Sequence, residues 1–115
     1  MISAWLKEVK ENAAPEELGM ILMHNGVVRG TSKYGAAVQG MKLSYDEGKL
    51  VALLNKYKEH DGIVEIKAWI NSGELNVGDD IMYLMVAGRF RTDVFPIFEA
   101  VLSAIKKEVV NEMED

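Results

Sequence analysis

Five basic residues set the chemistry open to this chain. Arg29 and Lys33 share a polar, glycine-bounded loop, Arg29–Gly35. Arg89 and Arg91 close an almost unbroken apolar run that begins at Ile81. Lys106 lies one helical step beyond Leu102, at the margin of an apolar stripe. A guanidinium presents a planar fork of donors that matches phosphate or carboxylate oxygens, and an ammonium acts on the same anions as a point charge. Arginines at the end of a buried strand are held by a rigid element and still reach a ligand. If the two loops meet beside the last helix, the five side chains frame a pocket for an anion. On spacing alone, separate solvated charges are the commoner arrangement.

Other chemistries find little support. There are no cysteines, so disulfides, thiolate zinc sites and cysteine nucleophiles are excluded. No phosphate-binding loop, dinucleotide fingerprint, GxSxG or HExxH is present. The two histidines do not suit a triad: His24 interrupts an apolar strand and reads as a hydrogen-bonded core or edge histidine, and His60 ends a helix, where a cation suits the dipole. The carboxylates form no metal-binding pattern, and Asp79-Asp80 reads as turn and strand start. A net charge of −5 argues against a nucleic-acid partner. No apolar run approaches the roughly 20 residues of a membrane span, and the N-terminus lacks a signal-peptide layout. The expectation is a cytoplasmic protein.

The elements that must position the cations follow from periodicity. With 115 residues, 49% of them apolar, one domain over 1–115 with a substantial core is expected. Ile2, Trp5, Leu6 and Val9 predict a short amphipathic helix ended by Pro15. Met20–Met23 and Val27-Val28 predict a buried strand interrupted at His24–Gly26, with Gly26 marking a bulge or close approach. Ala36–Ser44 reads as a second strand, and Ser44 with Glu47 as a capping box for a helix buried through Leu50, Leu53, Leu54 and Tyr57. Asp61-Gly62 stops it. Ile63–Ile70 alternates, with Val64, Ile66, Ala68 and Ile70 inward and Glu65, Lys67 and Trp69 on a face left partly exposed or covered at an interface. Asp80–Gly88 follows as a strand buried on both faces, hairpinned to the last through Gly73–Asp79. A final helix carries Val94, Phe98, Val101, Ile105 and Val109, is capped by Thr92 or Asp93, and tolerates Pro96 only in its first turn. Residues 111–115 read as a frayed polar end. The order α-β-β-α-β-β-α gives an α+β fold, three helices against an antiparallel sheet.

Gly73-Glu74-Leu75-x-x-Gly78-Asp79, the apolar strand after it, Arg91-x-x-x-Phe95 and a helix bearing Lys106 resemble the large, catalytic subunit of molybdopterin synthase. Gly26-x-Val28-Arg29 is similar to that family's first segment, and Tyr45 falls where its next strand ends. The resemblance spans roughly Gly19 to Lys107, and GELxxGD is its most specific part.

That resemblance implies an α/β-hammerhead fold and a homodimer. It implies a ubiquitin-like small subunit whose C-terminal Gly-Gly tail carries a thiocarboxylate, and sulfur transfer from that tail to an anionic pterin, cyclic pyranopterin monophosphate. Arg29 and Arg91 match its anion-binding arginines and Lys106 a catalytic lysine. No metal or cofactor is implied. The chain departs from the pattern at three places. Phe90 stands where the family has histidine, Ile70-Asn71 stands for a His-Arg pair, and Met113 stands for a second lysine. Two readings follow, a sulfurtransferase and a non-catalytic dimeric paralogue that binds a ubiquitin-like tail or a pterin-like anion.

Overall fold

The computed structural model describes residues 1–114. In chain order the elements are α1 (Ile2–Asn12), β1 (Met20–Val27), β2 (Gly40–Tyr45), α2 (Glu47–Lys58), β3 (Ile63–Ile70), β4 (Gly73–Asn76), β5 (Asp80–Gly88), α3 (Arg91–Ala104), a π-helical turn (Ile105–Val109) and β6 (Val110–Glu114). The three helices and the antiparallel pairing are as the sequence predicts. Two further strands, β4 and β6, divide the pairing between two sheets, ordered β1-β5-β3 and β4-β2-β6.

β5 is the centre of the first sheet, with β1 and β3 antiparallel on either side. Leu84, Met85, Val86 and Ala87 are fully buried in succession, which requires cover on both faces. On one face Leu84 and Val86 join Ile66, Val94, Val101 and Ile105 in the main core, which continues through Leu50 and Leu53 to Met41, Leu43 and Leu75 of the second sheet. On the other face α1 lays Val9 on Met85 and Ala87, with Trp5 beside them. The outward face of β3 is therefore covered from within the chain. Lys67 reaches Glu8 of α1 at 2.9 Å, and Trp5 meets the Tyr83 ring edge-on while Trp69 leans on it.

Several local expectations need correction. β1 is continuous through His24, and its irregularity is a bulge between Gly26 and Val27. The cap of α2 is Asp46, whose carboxylate accepts from the Lys49 N–H at 3.0 Å, not Ser44, which belongs to β2. α3 starts at Arg91 after Phe90 with no side-chain cap, so neither Thr92 nor Asp93 caps it, and Pro96 lies inside the helix. The proline removes the N–H that the Thr92 carbonyl would accept, and that carbonyl belongs to an exposed residue of the first turn. The polar end is not frayed: Asn111, Glu112 and Met113 pair with Ser44, Leu43 and Lys42 of β2. The turn before β5 closes as expected, with Gly78 at φ 93° and the Asp79 carboxylate accepting from the Asn76 N–H.

Candidate functional site

The position of each cation follows from two directions. β5 ends at Gly88 opposite Met20, the start of β1, and α3 leaves from that end. α3 therefore runs back in the direction of β1. Phe98 meets the His24 ring at mid-strand, 5.8 Å between centroids and 65° between planes. Lys106 lies two turns past Phe98, exposed on the π-helical turn. Arg29 follows the other terminus of β1 just beyond Val28. Both cations thus lie past His24, toward one end of the sheet.

Arg89 and Arg91 lie at the opposite end. An eight-residue strand at ~3.3 Å per residue puts roughly 26 Å between Met20 and the Arg29 loop. The molecule is long enough for that separation to persist, 47 Å on its longest axis. One copy of the chain therefore does not gather all five cations into one cleft. Arg29 and Lys106 share an end, Lys33 is in the loop beyond Arg29, and Arg89 and Arg91 stand apart.

Arg29 is exposed, and its Nε donates to the Thr31 carbonyl at 3.0 Å, leaving the terminal nitrogens of the fork outward. Its loop is shaped by a Thr31–Ala37 bridge and the Ser32 carbonyl accepting from the Gly35 N–H, and the loop presents Lys33 and a 90% exposed Tyr34. With Val27 and Val77, also exposed, Tyr34 gives this end an apolar margin beside its cations.

Arg89 is committed elsewhere. Its guanidinium lies 3.3 Å from the Asp61 carboxylate and 3.5 Å from Asp93. The hydrogen bond and charge of Asp61 chiefly hold its pKa above the ordinary value, with Asp93 adding to them. Arg89 Nε and Asp93 Oδ2 are both buried and, at 3.5 Å, face each other as an ion pair without a good hydrogen bond. The backbone around them is tight: a Cβ on Gly62 would strike the Asp93 carboxylate, and one on Gly19 would strike the Arg89 carbonyl. Arg91 makes no ion pair among the described residues. With Phe90, Arg89, Thr92, Gly19 and Met20 it lines an open cavity of about 420 Å³.

His24 is the residue that periodicity undervalued. No hydrogen bond of its ring is found among the described residues, so it is not the satisfied core histidine expected. Burial first, and the nearby Lys106 ammonium second, hold its pKa below the ordinary imidazole value. It is a neutral base at neutral pH, within electrostatic reach of the lysine that the resemblance makes catalytic. The only sequence signal was a polar residue at an inward position of an apolar strand. Among the described residues no cluster of His, Cys, Asp or Glu is built to hold a metal ion, and no helix is long and apolar enough to cross a membrane.

Solved structures share this architecture. A molybdopterin synthase from Staphylococcus aureus superposes with a TM-score of 0.77 at 19% identity, over 96% of this chain and 82% of that one. Molybdopterin cofactor biosynthesis protein E from Burkholderia multivorans gives 0.78 at 20% identity, over 99% and 80%. A protein-protein complex of subunits 1 and 2 of molybdopterin-converting factor from Helicobacter pylori gives 0.72 at 19% identity, over 98% and 77%. At such identities the likeness speaks for the fold alone. No curated protein sequence matches the chain. The profile of one family, described as MoaE protein, matches residues 3–108, nearly the full length, and the chain belongs to that family.

Proposed function

We propose that the chain serves molybdenum cofactor biosynthesis as the large, sulfur-transferring subunit of a molybdopterin synthase. The observation that carries this is the family match over residues 3–108, combined with Arg29 and Lys106 on one side of His24. The partner is a small ubiquitin-like subunit with a thiocarboxylated Gly-Gly tail. A complex of subunits 1 and 2 of molybdopterin-converting factor is the subject of the Helicobacter pylori structure.

Arg29 offers its outward guanidinium to the phosphate of the cyclic pyranopterin monophosphate, with Lys33 at the loop margin. The thiocarboxylate sulfur forms a bond to a side-chain carbon of the pterin as a carbon–oxygen bond at that carbon breaks, the oxygen leaving with the bonding pair, and tail and substrate are then joined as a thioester. Water then attacks the tail carbonyl, the carbon–sulfur bond on the tail side breaks, the tail leaves as a carboxylate, and sulfur stays on the pterin. The Lys106 ammonium stabilises the oxyanion formed in that attack. His24, neutral and close by, is placed to take the proton released by water. Arg91 joins this site only from a second copy, since its own lies at the far end of β1. The cytoplasmic homodimer is part of the same proposal.

Two substitutions favour a second reading, a dimeric paralogue that binds the tail or a pterin-like anion without turnover. Phe90 and Met113 stand where the resembled family carries a histidine and a lysine, and Met113 pairs with Lys42 on β2. Reconstitution with a thiocarboxylated small subunit separates the two. Molybdopterin formation supports the transferase, and binding without product supports the paralogue.

A further inference from the structure

A second cavity lies on the α2 side of the π-helical turn. It is an open groove of about 530 Å³ between α2 and the π-helical turn. Lys49, Ala52, Leu53 and Lys56 form one wall, spaced as one face of a helix. Lys107 and Val109 form the other. Leu53 and Val109 are buried and make an apolar floor. Lys49 and Lys56 are two turns apart, about 10 Å along the helix axis, and Lys107 faces them across the groove.

Among the described residues the three lysines share a lack of ion-pair partners with Lys10, Lys33 and Lys106, and are set apart from those by lining one groove. Lys7, Lys42, Lys58 and Lys67 each have a carboxylate within 4.0 Å. Among the described residues Lys49, Lys56 and Lys107 have none, although acidic residues outnumber basic ones 18 to 13 in the sequence. Such a local excess of positive charge, on an acidic chain and around an apolar floor, concentrates anions that also carry a nonpolar body. The volume lies within the ~300–1,000 Å³ of small-molecule sites. Ammonium groups on flexible stems suit phosphate as point charges. Glu108, also on the rim, accepts from a ligand amino or hydroxyl group and disfavours a bare polyphosphate.

We propose that the groove between α2 and the π-helical turn is a second ligand site, for a small organic phosphate of nucleoside diphosphate size: Lys49, Lys56 and Lys107 hold the phosphates, and the flat body rests on Leu53 and Val109. It uses residues other than those proposed for sulfur transfer: consecutive residues of the helical turn point roughly a quarter turn apart, so Lys106 acts on His24 while Lys107 lines the groove with α2.

The test is calorimetric titration of the full chain with ADP, inorganic pyrophosphate and adenosine. ADP binds at sub-millimolar concentration, pyrophosphate more weakly, and adenosine not at all. Lys107→Ala and Lys56→Ala each weaken ADP binding by about tenfold or more, and Ala52→Glu, at an exposed helical position, abolishes it with the thermal midpoint unchanged. Lys106→Ala and Arg29→Ala leave ADP binding intact. Pyrophosphate binding as tightly as ADP, no ADP binding, or binding lost in Lys106→Ala and kept in Lys107→Ala each overturns the proposal. None of these outcomes depends on molybdopterin formation, so the two readings fail separately.

Discussion

The His24 and Phe98 rings meet edge-on across the interface of β1 and α3, 5.8 Å between centroids. This contact marks the axial register that the buried Val94, Val101 and Ile105 give the last helix, and Lys106 emerges about two turns beyond it. The aromatic edge also removes water from one side of the imidazole and helps hold it neutral. The position of the proposed catalytic lysine is thus a property of packing some two turns away from it.

Lys106→Ala is expected to leave the fold intact, because the side chain is exposed and unpaired among the described residues. Stability should change by no more than about 0.5 kcal/mol. Molybdopterin formation with a thiocarboxylated small subunit should fall to background. Thermal melting and a product assay on the same preparation check both halves.

His24 gives a pH dependence of definite sign. Its folded pKa is depressed, by burial first and Lys106 second. The unfolded chain therefore binds the proton more readily, and the contribution to stability is complete above about pH 6.5. It is lost as pH falls through that value toward the folded pKa. The thermal midpoint of the wild type should drop relative to His24→Phe between about pH 7 and 5. Lys106→Ala should shift the imidazole titration, followed by NMR, back upward. Parallel melting profiles for wild type and His24→Phe would show that His24 is not depressed.

Asp46→Ala should cost about 1 kcal/mol by removing the one side-chain cap of α2. Ser44→Ala, at an exposed position of β2, should stay within about 0.5 kcal/mol of wild type. Equilibrium denaturation of both variants distinguishes the observed cap from the capping box that the sequence predicts.

Arg89 and Arg91 should part company. Arg89→Ala leaves the partly buried Asp93 carboxylate without its cation and should lower the melting temperature. Arg91→Ala, exposed and without an ion pair, should not move it. In the reconstituted reaction Arg91→Ala should weaken substrate binding. In a mixed dimer with Lys106→Ala, activity should partly return, since each defect then falls in a different copy's contribution.

The sequence carried the fold where patterns are local and strong. The run from Ile81 to Ala87 announced a central strand, and it is buried on both faces. β4 and β6 were hidden because Gly73–Asn76 reads as a turn and Asn111–Glu114 has the composition of a polar tail. Both are strands only because β2 offers them its two edges, a tertiary effect that propensity does not contain. The π-helical turn is likewise silent in a helical stripe that continues through Ile105 and Val109. Arg29, Arg91 and Lys106 could be singled out as candidate cations from the sequence, and the distance of Arg91 from the other two could not. It depends on α3 turning back along β1, which no spacing between neighbours records. The commitment of Arg89 to Asp61, 28 residues away, was invisible for the same reason.

The account is tested most directly by incubating the full chain with a thiocarboxylated small subunit and cyclic pyranopterin monophosphate, and measuring molybdopterin. Product from the wild type, absent with Lys106→Ala, is the predicted result. A wild-type chain that binds the small subunit and yields no molybdopterin would contradict it.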